Sequence, residues 1–94
     1  MTAPLTDAGP EPDLAWLPVA RCRVDSAYQR SILSKNSQAL IGRISTNFRW
    51  AAFQAVLATP DPKEEGWFLI LDGQHRVEAA RRRGFPRVPA VVVA

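Results

Sequence analysis

Apolar and polar positions alternate along the chain in blocks whose spacing predicts its elements. Between Leu14 and Val24, Trp16, Leu17, Val19 and Val24 mark one strand or two. Pro18 has no N–H to give a ladder, so it keeps such a strand at a sheet edge or breaks it. Ser34-Lys35-Asn36-Ser37 offers several helix N-caps. Leu40, Ile41, Ile44 and Phe48 then recur on one helical face, which predicts about three turns of amphipathic helix. Asn47 to Trp50 closes this helix. Within it Gly42 costs stability and leaves room for close packing, and Arg43 falls on the wet side. Phe53–Ala58 reads as a third strand, with Ala51, Ala52 and Ala55 leaving helix open. Thr59 to Gly66 is a connector rich in breakers and charge. Trp67–Leu71 is a short apolar run of buried-strand type. A second helix follows, pressing Val77 and Ala80 on the sheet, and Gly84 stops it. Phe85-Pro86-Arg87 turns the chain into a closing β-branched strand, Val88–Val93.

The 94 residues suit one domain, 47% apolar and 22% charged, as in an ordinary globular protein. Met1 to Asp13, with three prolines and three acids, predicts a mobile N-terminal tail before a domain spanning 14–94. The net charge of +3 permits nucleotide or nucleic-acid partners without requiring them. Cys22 is the single cysteine, so no internal disulfide forms, and a small buried thiol is its expected role. No apolar run approaches a membrane span, and the proline-rich, acidic start is unlike a signal peptide, so a cytoplasmic protein without membrane contact is expected. The sequence has no CxxC, no HExxH, no second histidine and no Walker A run, and these absences leave no zinc or P-loop signature. Arg81, Arg82 and Arg83 invite a nucleic-acid reading. They also occupy the last turn of the second helix, where cations favour the negative dipole end, and at most they give weak, salt-sensitive contacts.

The chemistry concentrates in Leu71-Asp72-Gly73-Gln74-His75-Arg76, where a strand turns into a helix. First-turn N–H groups lack intrahelical partners and carry the positive dipole end, so this turn predicts a phosphate cradle. Asp72 is placed to cap the helix, with a catalytic or metal role as the alternative. Gly73 permits a tight turn or a close backbone approach. Gln74 offers an amide, His75 one donor and one acceptor, and Arg76 a two-toothed charged fork. Glu78 and Arg82 form an (i, i+4) pair. A magnesium site built from Asp72 with Glu78 or Asp25 is not specified by the spacing. Arg30 reads either as a second arm for the anion or as an ordinary surface cation, and Tyr28 as a core anchor.

The order of these motifs resembles the ParB/sulfiredoxin superfamily. Val24-Asp25-Ser26-Ala27-Tyr28-Gln29-Arg30 precedes a helix and Asn47-Phe48. Asp72-Gly73-Gln74-His75-Arg76 follows, with Ala79-Ala80, Gly84 and then Val88-Pro89-Ala90-Val91. The chain is most similar to small ParB-like proteins with a D-G-Q-H-R signature. The resemblance implies an α+β fold with a mixed sheet and two main helices. It also implies a loop at Gly73–Arg76 that grips nucleotide phosphates, of CTP in partition proteins and ATP in sulfiredoxins, with Arg30 assisting. Sulfiredoxin's catalytic cysteine falls at Gln74, so thiol chemistry of that kind is not expected, and Cys22 lies outside the motif.

Three readings follow. The first is a nucleotide-binding or phosphate-binding domain with slow NTP hydrolysis, accompanied by Mg2+ and linked to DNA partition or plasmid and phage processes. The second is a ParB-like nuclease, with Asp72 and His75 as catalytic candidates. The third is a non-catalytic interaction module, binding a protein partner or a second copy around Trp50 and Phe53.

Overall fold

The computed structural model describes residues 9–24 and 33–94. The segment with Asp25, Tyr28 and Arg30, and most of the expected tail, lies outside them. The described chain runs β1 (Asp13–Pro18), β2 (Cys22–Val24), α1 (Lys35–Thr46), β3 (Val56–Pro60), β4 (Phe68–Asp72), α2 (Gln74–Arg82) and β5 (Arg87–Val92). Short 3-10 turns cover Val19–Arg21 and Trp50–Ala52. The strands form one sheet in the order β1-β5-β3-β4-β2. β1 pairs antiparallel with β5 and β3 antiparallel with β4, while β3–β5 and β2–β4 are parallel. The fold is α+β with a mixed sheet and two main helices.

Local chemistry accounts for most boundaries. Pro18 ends edge strand β1, and the chain leaves the ladder there in a 3-10 turn. Ser34 caps α1, its Oγ accepting from the Ser37 N–H at 3.1 Å. Gly84, at φ +76°, closes α2 with two bonds, Gly84 N–H to the Arg81 carbonyl and Phe85 N–H to the Ala80 carbonyl, both 3.0 Å. This is a Schellman stop, in which the glycine takes the left-handed conformation at little steric cost. Where elements differ from their predicted extent, tertiary pairing decides. The third strand starts at Val56, not Phe53, because Trp50–Ala52 coil into a turn that places Phe53 among aromatic side chains. It also takes Thr59 and Pro60 from the expected connector, because β4 pairs with them. β4 shifts one residue, to Phe68–Asp72. Phe48 lies beyond the end of α1, and a Cβ added at Gly42 would meet nothing, so that glycine serves no close contact.

The core joins the sheet to α2: Leu17, Val56, Ala58, Ile70, Val88 and Ala90 pack with Val77 and Ala80. Val77 and Ala80 thus press α2 on the sheet as their spacing predicts, 4% and 0% exposed. Ile41 is the fully buried residue of α1. Cys22 is buried, and burial raises its thiol pKa, which the nearby Arg81 charge partly offsets. No helix among the described residues is long and apolar enough to cross a membrane.

Candidate functional site

The turn between β4 and α2 is shaped by a register shift. Leu57 faces Asp72 and Ala58 faces Ile70, so Leu71 is the extra residue of a bulge just before the turn. Bulges re-aim the chain and its side chains. Gly73 then takes φ +100° and is itself the N-cap of α2. A Cβ there would lie 2.7 Å from Val56 Cγ1 and 2.9 Å from Arg76 Nη2. Only a residue without a side chain leaves space for both the buried valine and the guanidinium folded over the turn.

The predicted capping role of Asp72 is therefore corrected. Asp72 is the last residue of β4, and the N-cap of α2 is Gly73, which has no side chain to cap with. The bulge and the left-handed glycine move the cap position one residue on. Asp72 therefore does not occupy the first-turn N–H groups, which a helix leaves without intrahelical partners. Neither α1 nor α2 carries an acidic residue in its first turn, so the positive dipole ends are not offset there.

A cleft of about 510 Å³ opens at this turn. Asp72, Gly73, Gln74, His75 and Arg76 line it from one side, and Leu40, Ile44, Asn47, Phe48, Arg49 and Phe53 from the other. Gln74 is buried, and His75 and Arg76 are half-buried. His75 Nε2 lies 3.0 Å from Ser37 Oγ, which ties the start of α2 to the first turn of α1. Arg76 Nε is buried and has no hydrogen-bond partner among the described residues. No described carboxylate pairs with the Arg76 or Arg49 guanidinium, although Asp72 lines the same cleft. A buried polar atom without a partner carries a desolvation cost of about 1–3 kcal/mol, more when charged, and a bound anion relieves it. One end of the cleft is therefore cationic and the other apolar and aromatic.

The structure thus brings Asp72, Gly73, Gln74, His75 and Arg76 to one cleft, while Arg30 lies outside the described residues. Sequence reasoning missed Arg49 and Ser37. Arg49 reaches the cleft because the chain reverses after α1, and Ser37 touches its edge through His75, because the first turns of α1 and α2 meet there. No local pattern signals either contact, although Asn47-Phe48 beside Arg49 belong to the motifs noted above.

The three arginines ending α2 behave differently. Arg81 bonds Glu78 at 2.5 Å and donates to the Val19 and Cys22 carbonyls at 3.2 and 3.4 Å. Arg82 donates to Gln38 Oε1 at 2.7 Å, and its predicted pairing with Glu78 is looser, at 3.7 Å. Arg83 donates to the Ser45 carbonyl at 2.8 Å. All three are occupied in holding α2 to its neighbours.

No protein-family model matches the chain, and no curated protein matches it in sequence. Solved structures do. ParB from Caulobacter crescentus complexed with CTP-gamma-S superposes with a TM-score of 0.67 at 23% identity, over 86% of this chain and 44% of that one. The same protein on its centromeric parS site gives 0.67 at 22%, over 85% and 38%. Sulfiredoxin from Arabidopsis thaliana gives 0.63 at 20%, over 87% and 85%. The chain has the ParB/sulfiredoxin fold. It spans less than half the length of the two ParB chains and most of the sulfiredoxin chain. In this fold Gln74 begins α2, and Cys22 is buried on β2, its Sγ 3.3 Å from the Pro18 carbonyl.

Proposed function

We propose that the chain is a ParB-like nucleotide-binding domain that grips phosphates at Gly73–Arg76. One observation carries the reading: the buried Nε of Arg76, without a partner among the described residues, beside a glycine whose missing side chain leaves room for its guanidinium. An anion in the cleft gives that nitrogen an acceptor and meets the open end of α2. Arg76 would bind phosphate oxygens with its planar fork. Gln74 and His75 would add neutral contacts and Arg49 a second charge, with Arg30 as the further arm that the family resemblance implies. The apolar wall of Leu40, Ile44, Phe48 and Phe53 suits the flat face of a base. The likeness to ParB complexed with CTP-gamma-S supports CTP as the first nucleotide to test, and ATP, which the family resemblance implies, is the second.

Mg2+ accompanying the nucleotide would neutralise phosphate charge. Among the described residues lining the cleft Asp72 is the one carboxylate to hold it, and a single carboxylate with phosphate oxygens is an arrangement Mg2+ accepts. Asp72 and His75 are also the groups at hand to orient a water for slow hydrolysis.

Isothermal titration of CTP, ATP and GTP, with and without Mg2+, tests the reading. One nucleotide binds the wild type, and Arg76→Ala weakens it about 30- to 100-fold, the effect of losing a charge-assisted pair. Absence of binding by the wild type sinks it. Phosphate release that persists in Asp72→Ala and His75→Ala would remove those two from any hydrolytic role.

A second reading rests on a separate observation. Trp16 and Trp50 are 50% and 40% exposed, and their rings meet edge to face at 5.3 Å in a cluster with Phe48, Phe53 and Phe85. Aromatic surface of this size favours a protein contact around Trp50, beside the cleft rather than in its place.

A further inference from the structure

The single histidine of the chain is held through one of its two ring nitrogens. His75 lines the cleft, its Nε2 lies 3.0 Å from Ser37 Oγ, and Nδ1 has no partner among the described residues. Ser37 is in the first turn of α1, where its own N–H is already taken by the Ser34 cap. The Ser37 hydroxyl is thus spare, and it can both donate and accept.

We propose that Ser37 is a positioning residue for His75, engaging Nε2 so that Nδ1–H is presented to an anion in the cleft. The inference rests on the nucleotide reading above and adds a residue to it. In its neutral form the imidazole has one N–H. If Nε2 carries it, Nε2–H donates to Ser37 Oγ, and Nδ1 offers a lone pair that repels a phosphate oxygen. If the Ser37 hydroxyl turns and donates to Nε2, the proton sits on Nδ1, which then donates to phosphate. A hydroxyl hydrogen rotates to suit its partner, so Ser37 supports both states, and the anion selects the second. The doubly protonated ring also fits, with Nε2–H donating to Ser37 and Nδ1–H to the anion. The partner on one ring nitrogen sets the role of the other, as at many histidine sites. Without the hydroxyl the ring loses its fixed rotamer and the donor that satisfies Nε2 when Nδ1–H faces the anion.

One histidine makes the test direct. Ring nitrogen chemical shifts of 15N-histidine-labelled protein report the tautomer with and without CTP, across a pH series. In the wild type CTP moves the neutral ring toward the Nδ1–H form. In Ser37→Ala that movement is lost and affinity falls roughly five- to tenfold, as for one hydrogen bond. Ser37→Thr, which keeps a hydroxyl, restores both. His75→Ala weakens binding by a similar factor, and adding Ser37→Ala to it costs nothing more, because the two act as a unit. Alanine is a good helix former and the Ser34 cap bonds only the Ser37 backbone, so the variant is expected to fold. If the wild type binds CTP and Ser37→Ala leaves ring shifts and affinity unchanged, this inference fails and the cleft reading stands. If the wild type binds no nucleotide, the cleft reading fails and takes this one with it.

Discussion

The two ends of α2 carry the same kind of side chain and use it in opposite ways. At the C-terminal end Arg81, Arg82 and Arg83 each have an oxygen partner elsewhere in the chain, and together they bind α2 to the first crossover and to α1. At the N-terminal end Arg76 is folded over Gly73 with a buried nitrogen that no described residue pairs. Burying a charged donor without an acceptor works against stability, and burying one with acceptors is close to neutral or favourable. The first end is therefore scaffold, and the second has the character of a site. Three adjacent arginines suggest a nucleic-acid patch when read as letters, yet each, though exposed, is engaged by an acceptor elsewhere in the chain. The isolated one remains available.

The comparison can be broken most forcefully at Gly73. Gly73→Ala combines a left-handed backbone with a Cβ 2.7 Å from Val56 Cγ1, and Val56 is fully buried and cannot yield freely. Strain and overpacking together are expected to cost about 2–5 kcal/mol, read as a lowered urea midpoint. A midpoint within experimental error of the wild type would mean that the turn relaxes and that the glycine is not what holds Arg76 in place.

A sharper contrast comes from truncating one arginine at each end. Arg81→Ala removes two carbonyl contacts and a Glu78 pairing, and should lower stability by about 1–2 kcal/mol without changing nucleotide affinity. Arg76→Ala should do the reverse: stability unchanged or slightly raised, affinity lost. Denaturation curves and titrations on both variants decide this, and equal destabilisation by the two would erase the distinction between scaffold and site.

The smallest effect concerns the connector between β3 and β4. Arg23 on β2 reaches Asp61 at 2.7 Å and Glu64 at 2.6 Å, and its guanidinium stacks 4.4 Å over Trp67. This pins the connector between β3 and β4. The Lys63 backbone N–H, then the Arg23 charge and hydrogen bond, hold the Asp61 carboxyl below its usual pKa against the opposing effect of burial. A carboxyl depressed in the folded state stabilises it above the unfolded pKa, and that contribution is lost as pH falls through the folded pKa. The urea midpoint of the wild type should thus decline below about pH 4, and that of Asp61→Asn should decline less steeply. Parallel curves would show that the pairing is solvent-screened to insignificance. Nucleotide affinity of Asp61→Asn should match the wild type.

What the residue order determined by itself was local. Ser34 caps α1 because its hydroxyl reaches an N–H three residues on, and Gly84 stops α2 because a left-handed position favours glycine. Val77 and Ala80 face the sheet because helical spacing puts them on one side. The turn at Gly73–Arg76 was legible for the same reason, since strand, glycine and helix start are adjacent in the chain. Asp72 was misread as a cap because a bulge, set by pairing with β3 far upstream, shifts the cap to Gly73. The third strand was misplaced at Phe53 because the turn at Trp50–Ala52 and pairing with β5 and β4, not propensity, set its ends. The partners of Arg81, Arg82 and Arg83, the reach of Arg49 into the cleft and the hydrogen bond from Ser37 to His75 were decided only in the folded chain. Each joins residues that no fixed spacing relates. Local hydrogen bonds and periodicity act over a few residues and leave a trace in sequence, whereas which arginine finds an acceptor and which is left without one depends on how whole elements pack.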